Sequence, residues 1–405
     1  MARLGIDFGT SNTAAAWLED GRPRVIALEG GKETMPTAIF LDFASREMLI
    51  GHEAQAAMME GREGRFLRAL KSVLGTALMR EKRQLMNERI TLIEVIARFL
   101  AEIRARAEAA TGQRFETALS GRPVRFHSAS ETRNAQALVD LTEAYRLAGF
   151  DSVEFLPEPE AAALATGGEG RILIVDIGGG TSDFTLCDRS GGETRILAST
   201  GIRLGGTDFD KWLSLRHAMP LMGYEAQIGK ELGAGTHTAP RALFHDLASW
   251  EKIAFVYDPA TLREVRRWER LAPEPQLFAR LGEVLESHLG HDVAYAVEAA
   301  KIEANGASAG VIDLDVVERG LRAEISHGAL QAELHEAARQ IADCAGDVLV
   351  AAGCAAGTVE RVVFVGGSSL LGAVQAQVRA AFPEAAFETS EVFTAVVDGL
   401  AIAAG

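Results

Sequence analysis

The sequence contains little of what would indicate a disulfide framework, a membrane span or a nucleic-acid-binding surface. It has three cysteines in 405 residues and no CxxC spacing, which argues against disulfide or zinc frameworks. No apolar run approaches the roughly 20 residues that span a bilayer. With 41 Lys and Arg against 56 Asp and Glu, the net charge of −15 argues against nucleic acids and anionic membranes as partners. The N-terminal MARLGID contains an acid before any apolar signal region could form, so we expect a reduced, cytoplasmic protein.

Residues 171–188, RILIVDIGGGTSDFTLCD, carry the strongest pattern in the chain. An apolar, β-branched run ends at Ile177, three glycines follow, and an alternating strand pattern resumes. Three consecutive glycines expose backbone N–H groups to an anion with no Cβ in the way. Because Asp176 would repel a phosphate bound there, we expect a Mg²⁺ ion between them, held through carboxylate or water.

A second copy of this pattern lies at residues 4–16, LGIDFGTSNTAAA. Asp7 matches Asp176, and the TSN at 10–12 aligns with the TSD at 181–183, which leaves two extra glycines in the second copy. Such a repeat predicts two similar lobes, each of which presents a phosphate-binding hairpin to a shared cleft.

The remaining patterns predict alternating strands and helices, as expected for a chain long enough for two or more domains. Strands are expected at residues 3–8, 13–18, 23–27, 116–119 and 152–156, and helices at 92–109, 131–148, 160–165 and 394–404. Residues 214–325 are predicted to be mostly helical, but the prolines between Trp250 and Pro275 indicate a loop.

Taken together, these motifs resemble the ATPase domain of the seventy-kilodalton heat-shock chaperones, in the superfamily that includes actin and the sugar kinases. RALKSVLG at 68–75 resembles the family's loop with a catalytic lysine, and EPEAAAL at 158–164 resembles the segment with the catalytic glutamate. LGGTDFD at 204–210 resembles a glycine turn, EAAKIEAN at 298–305 the helix that binds ribose and adenine, and FVGGSS at 364–369 the adenosine motif. The resemblance extends over nearly the whole chain.

The resemblance implies an α/β, actin-like ATPase fold with two duplicated ribonuclease-H-like lobes around a central nucleotide cleft. Lobe I is expected at residues 1–169, with an insertion at about 37–115 and the C-terminal helix at about 390–405 packed onto it. Lobe II is expected at 170–389, with an insertion at about 226–320.

The resemblance also implies a role for individual residues. The catalytic residues would be Asp7, Lys71, Glu158, Asp176 and Thr181. The nucleotide would be bound by Gly9, Thr10, Ser11, Asn12, Gly178, Gly179, Gly180, Gly205, Gly206, Glu298, Lys301, Asn305, Gly366, Gly367, Ser368 and Leu370. Asp7 and Asp176 would hold Mg²⁺ through its water ligands, with Glu158 in the outer shell.

Several positions depart from the family pattern. Leu370 replaces an arginine that stacks on adenine, which removes an interaction of about 0.5–2 kcal/mol, and Asn305 replaces a usual serine. Arg125 and Glu160 replace an aromatic residue and a threonine in segments that couple nucleotide state to a partner domain. The chain also stops at Gly405, where the chaperones continue into a peptide-binding domain. It thereby resembles the family's short, ATPase-only branch.

The expected function is that of a chaperone-like ATPase. It would bind Mg·ATP, hydrolyse it slowly to ADP and phosphate, and couple lobe closure to a client or co-chaperone protein, as a monomer. Two alternatives stay open on this superfold: a small-molecule, sugar-type kinase, and a nucleotide-dependent scaffold or filament protein.

Overall fold

The structure is a computed structural model that describes residues 2–85, 88–389 and 394–405. The chain forms two compact units, one of Met1–Gly206 with Glu336–Gly405 and one of Thr207–His335. The lobe boundaries expected from the sequence stay a prediction.

The described chain contains both strands and helices, with a run of strands at its start and a run of helices over residues 241–306. The strands are β1 (Arg3–Phe8), β2 (Asn12–Glu19), β3 (Arg22–Ile26), β4 (Met35–Pro36), β5 (Ala38–Asp42), β6 (Met48–Ile50), β7 (Gly64–Arg68), β8 (Arg83–Leu85), β9 (Glu88–Ile90), β10 (Thr117–Arg122), β11 (Ser152–Pro157), β12 (Gly170–Ile177), β13 (Ser182–Ser190), β14 (Glu193–Ile202), β15 (Gln227–Gly229), β16 (Thr236–Thr238), β17 (Ala309–Asp313), β18 (Arg322–Ser326), β19 (Arg361–Val365) and β20 (Ala386–Thr389). The helices are α1 (Gly51–Met59), α2 (Leu92–Thr111), α3 (Glu131–Leu147), α4 (Glu158–Ala165), α5 (Gly206–Leu213), α6 (Arg241–Leu247), α7 (Pro259–Leu271), α8 (Pro275–Glu286), α9 (Gly290–Gly306), α10 (His327–Ala352), α11 (Gly372–Ala381) and α12 (Ala395–Ala404).

Two sheets of the first unit share one topology. In the first, β1, β2 and β3 form an antiparallel meander, and β10 and β11 continue the sheet in parallel on the other side of β1. In the second, β12, β13 and β14 form the meander, and β19 and β20 continue it in parallel beside β12. This repeated strand order confirms the predicted α/β fold with a duplicated sheet.

A shared apolar core joins the two sheets. It combines the alanine-rich face of α4 with Ile172 and Ile174 of β12, Val363 and Val365 of β19, and Leu400 of α12. The short side chains of α4 let neighbouring backbones come close, and the β-branched strand residues fill the rest of the space.

Helix α12 packs most closely at Gly399. A Cβ at this position would lie 1.7 Å from the carbonyl oxygen of Ala161 in α4. The C-terminal helix was expected to begin at residue 394, and it begins at Ala395. The expected domain boundary at residue 390 lies outside the described residues.

The second unit corrects the loop expected between Trp250 and Pro275. Pro259 and Pro275 are the first residues of α7 and α8, and the Asp258 side chain caps α7 by accepting from the N–H groups of Ala260 and Thr261. Proline fits the first position of a helix because the N–H it lacks would have no intrahelical partner there. These two prolines therefore begin helices, so the loop prediction was wrong for residues 259–271, while Pro273 lies in the break between α7 and α8.

Among the residues that the structure describes, no helix is long and apolar enough to cross a membrane.

We predict opposite effects from two alanine substitutions at helical glycines. Gly399→Ala should lower the free energy of unfolding by about 3 kcal/mol or more, because α12 and α4 must move apart. Gly346→Ala in α10, where a Cβ meets nothing within 4 Å, should raise it by about 0.5–1 kcal/mol. Urea unfolding followed by circular dichroism measures both, and equal effects would contradict the packing described.

Candidate functional site

The two glycine turns have the same length and the same geometry. The Gly9 N–H donates to the Asn12 carbonyl at 3.0 Å, and the Gly178 N–H donates to the Thr181 carbonyl at 3.0 Å. Strand pairing places Phe8 opposite Thr13 in the first hairpin and Ile177 opposite Ser182 in the second. The expected insertion of two glycines is therefore wrong.

The corrected register changes which residues are equivalent. Thr10 corresponds to Gly179, and Asp183, opposite Asp176 in the second hairpin, corresponds to Ala14, opposite Asp7 in the first. Matching the Thr-Ser dipeptides of the two hairpins shifts the second hairpin by two residues relative to the first. The hydrogen bonds of the turns give the correct alignment. Asp183 is thus an acid that only the second hairpin supplies.

The two turns approach each other closely where glycine leaves room. A Cβ at Gly179 would come within 2.5 Å of Ser11 Oγ, and a Cβ at Gly180 would come within 3.0 Å of both Thr10 Oγ1 and Ser72 Oγ. Side chains larger than hydrogen would therefore fill the space between the turns. The result is a small cradle of bare backbone and hydroxyl groups.

Lys71 and Glu158 form a buried ion pair in the first unit. Lys71 lies in a short 3₁₀ turn, Leu70–Val73, and Glu158 is the first residue of α4. Lys71 Nζ donates to Glu158 Oε1, and the two residues are only 6% and 8% exposed. Ala69, directly before the turn, has a left-handed φ of +60°, a strained conformation for a residue with a Cβ.

Three buried aspartates, Asp7, Asp176 and Asp183, interact electrostatically with this ion pair. Burial, and next the charge of Glu158, raise the pKa of Asp7 and of Asp183 to about 7. The same two causes raise the pKa of Asp176 well above its ordinary value, and the charges of Asp183 and Asp7 raise it further. Acids that repel one another in a buried site attract cations.

The pKa of Lys71 is shifted in the direction that keeps the lysine charged. Burial by itself lowers this pKa, but the charges of Glu158, Asp7 and Asp183 together raise it above its ordinary value. Lys71 is therefore a permanent positive charge among four carboxylates.

The other glycine motifs of the first unit pack around the second turn. The Gly206 N–H donates to the Gly178 carbonyl at 3.0 Å, and a Cβ on Gly206 would come within 2.5 Å of Ser368 Oγ. Gly366, at φ +79°, is so close to Asp176 that a Cβ would lie 2.7 Å from Oδ1. Gly205 also contacts this turn, Gly367 begins a short 3₁₀ turn, and Leu370 at its end is 44% exposed.

The predicted base-binding residues belong to the second unit. Glu298, Lys301 and Asn305 lie on α9 at a spacing that places them on one helix face. Lys301 is buried, and its Nζ donates to Asp210 Oδ1 at 2.6 Å, while Trp250 Nε1 donates to Asp210 Oδ2 at 3.1 Å. Lys301 is thus engaged in an ion pair that the sequence did not predict.

A small cavity adjoins the Lys71 segment and the second turn. Its volume is about 10 Å³, and it is lined by Thr10, Lys71, Ser72, Pro123, Phe126, Gly180, Thr181 and Arg203. Ser72 Oγ is buried, and among the described residues it has no hydrogen-bond partner. A buried hydroxyl without a partner costs about 1–3 kcal/mol, so a ligand that accepts from it would recover that energy.

These observations fit a phosphate and a cation. The cradle would clash with any Cβ, Ser72 offers an unused donor, and the carboxylates are crowded enough to repel one another. Within the described ranges, no three Asp, Glu, His or Cys side chains are arranged to hold a metal ion directly. The expected contact of Asp7 and Asp176 with Mg²⁺ through water stays a prediction.

Sequence reasoning missed Asp183, Ser72 and Arg203 as candidate site residues. Asp183 had a usable signal, because a four-residue turn places it directly opposite Asp176. Ser72 follows Lys71 in sequence, but Arg203 lies 131 positions from Ser72 and donates to the Ser72 carbonyl at 3.4 Å. No local pattern predicts a contact of that separation.

We predict that the ligand-free protein loses stability as pH rises from 5 to 8. An acid whose pKa is raised on folding favours the folded state while protonated, and this stabilisation is lost as pH rises through its folded pKa, about 7 for Asp7 and Asp183. Asp183→Asn should therefore reduce the fall in Tm, and thermal unfolding at each pH measures it. Asp188→Asn, on the same strand but 42% exposed, should leave the wild-type slope unchanged. Equal slopes for all three proteins would contradict the acid cluster.

Comparison with known proteins identifies a family. The sequence profile described as "Hsp70 protein" matches residues 3–91 and 77–230, together more than half of the chain. Both glycine turns, Lys71 and Glu158 lie within the matched residues.

Individual relatives carry one name. The chain is 32% identical over 216 residues to "Chaperone protein DnaK" of Ureaplasma urealyticum serovar 10, which is 51% of this chain and 33% of that protein. It is 30% identical over 221 residues to "Chaperone protein DnaK" of Metamycoplasma hominis, 52% of this chain and 35% of that protein. The match thus spans about a third of the length of these curated relatives.

Proposed function

The chain belongs to the Hsp70 family, and on this premise we propose that it binds Mg·ATP between its two glycine turns and hydrolyses it slowly to ADP and phosphate. The observation that carries the proposal is the buried Lys71–Glu158 pair, beside two equal turns and amid three aspartates. This arrangement suits phosphoryl transfer, which needs positioned charge and little covalent chemistry.

In this proposal the turns bind the phosphates. The Gly178 N–H closes the second turn by donating to the Thr181 carbonyl. The backbone N–H groups of Gly179 and Gly180, with the hydroxyls of Thr10 and Thr181, donate to phosphate oxygens. Gly9, Ser11 and Asn12 form the rest of the first turn around Thr10. Mg²⁺, when bound, neutralises phosphate charge, and Asp7 and Asp176 would hold it through water.

Lys71 and Glu158 would act on the reacting group. Lys71 Nζ stabilises the negative charge on the terminal phosphate, because its surroundings keep it protonated. Glu158 accepts a hydrogen bond from the attacking water and holds that water in line. The water oxygen bonds to the terminal phosphorus as the bond to the leaving ADP oxygen breaks, and the proton that the water loses passes to an oxygen of the released phosphate.

The remaining functions rest on the family. Glu298, Lys301 and Asn305 would bind the ribose and adenine, with Gly366, Gly367, Ser368 and Leu370 on the nucleoside. Nucleotide state would drive lobe closure and the exchange of a client or co-chaperone protein, because the relatives are named chaperones. A cytoplasmic location and a monomeric state stay predictions.

Single-turnover hydrolysis with Mg²⁺ and no other acceptor tests the proposal. Wild type should release phosphate, and Lys71→Ala should reduce the rate about 100- to 1,000-fold while ATP affinity changes only a few-fold. Lys252→Ala is a matched control, because this lysine is 49% exposed and pairs with Asp246 at the surface. Binding without hydrolysis by wild type would contradict the ATPase and favour the scaffold alternative.

A further inference from the structure

Asp140 is a buried acid that none of the roles above uses. It lies in α3, is fully buried, and receives four hydrogen bonds. Oδ2 accepts from the Gly75 N–H at 2.9 Å. Oδ1 accepts from Arg80 Nε and Nη2 at 3.1 and 2.7 Å and from Gln136 Nε2 at 2.8 Å. Two of its three partners, Gly75 and Arg80, lie in the segment that follows Lys71.

The contact with Gly75 requires an unusual backbone. Gly75 has a φ of +78°, and a Cβ there would lie 2.2 Å from the carbonyl oxygen of Arg133 in α3. Only glycine allows the Gly75 N–H to approach this closely and reach Asp140. Glycine at position 75 thus lets the chain after Lys71 pack tightly against α3, where the Gly75 N–H donates to Asp140.

The segment between Lys71 and Arg80 is fixed at further points. His127 Nε2 lies 2.6 Å from the Leu74 carbonyl oxygen, and the Leu74 N–H donates to the Lys71 carbonyl at 3.4 Å. Gly75 follows Leu74 directly. Asp140 therefore holds the chain at Gly75, four residues after Lys71.

We propose that Asp140 is a positioning residue for Lys71: it fixes residues 71–80 against α3, so that Lys71 Nζ stays at Glu158. This inference rests on the proposed function, because it assigns Asp140 an effect on the same hydrolysis. A displacement of about 1 Å at a catalytic group can cost about 100-fold in rate. Losing this contact should therefore reduce kcat more than it affects nucleotide binding.

Glu143 provides a matched control. It lies one turn further along α3 and accepts from the same Arg80 Nη2 at 3.0 Å, but its side chain is 37% exposed. The Gly75 N–H donates to Asp140, whereas Glu143 contacts Arg80 at its Nη2 group. Glu143→Gln therefore removes a surface charge from the same arginine and leaves the Gly75 contact in place.

The experiment compares Asp140→Ala, Asp140→Asn and Glu143→Gln in the full chain. Steady-state hydrolysis should give a kcat for Asp140→Ala about 10- to 100-fold below wild type, with a KM for ATP within about twofold. Asp140→Asn keeps the shape and one acceptor oxygen, so its kcat should lie between those of wild type and Asp140→Ala. Glu143→Gln should match wild type. Hydrogen exchange without nucleotide should show the fastest exchange of residues 70–80 in Asp140→Ala, an intermediate rate in Asp140→Asn and the wild-type rate in Glu143→Gln.

Several outcomes would overturn the inference. A wild-type kcat for Asp140→Ala, measured well below its Tm, would show that Asp140 only stabilises the fold. Unchanged exchange of residues 70–80 would show the same, and it needs no ATPase activity. If Asp140→Ala fails to fold, Asp140→Asn decides, and a kcat equal to wild type refutes positioning. A wild type without hydrolysis refutes the proposed ATPase instead, and the exchange result then judges Asp140 separately.

Discussion

The structure of the site depends on the balance of charge around Lys71. One buried ammonium group pairs with Glu158 and also acts on Asp7, Asp176 and Asp183. Burial is the largest cause of the raised pKa values of these aspartates, and repulsion from Glu158 raises them further, because four buried carboxylates cannot all ionise beside a single cation without a large cost. A divalent cation bound with a phosphate would suit this site. The cation would supply the positive charge that the crowded carboxylates lack, and the glycine turns offer hydrogen-bond donors to the phosphate.

The two similar sheets bring their glycine turns close together beside the charged cluster around Lys71. Each sheet contributes a meander whose first turn is closed by the same hydrogen bond, Gly9 to Asn12 and Gly178 to Thr181. Because the two turns have equal length, their differences are in side chains: hydroxyls in the first turn face glycines in the second. The second hairpin adds Asp183 and the first does not. One fold thus supplies two similar scaffolds with complementary chemistry.

Local patterns predicted the elements well and distant contacts poorly. The strand at Arg3–Phe8 and the helix from Glu131 have their predicted positions, because alternation and capping are local properties. Prolines at 259 and 275 misled because proline both ends and begins helices. The alignment of the turns was wrong because it matched the Thr-Ser dipeptide that both hairpins contain, although the two turns have equal length. The contacts of Asp140 with Gly75 and Arg80, and of Lys71 with Glu158, join residues 60 or more positions apart, so only the fold reveals them.

The most direct measurement is a crystal structure with Mg²⁺, ADP and a fluoride mimic of the transferred phosphoryl group. The account predicts the mimic between the two glycine turns, with Lys71 Nζ and Thr181 in contact with it and the metal reached by Asp7 and Asp176 through water. A nucleotide bound away from these turns, or a mimic that leaves the Lys71–Glu158 pair without contact, would contradict the account.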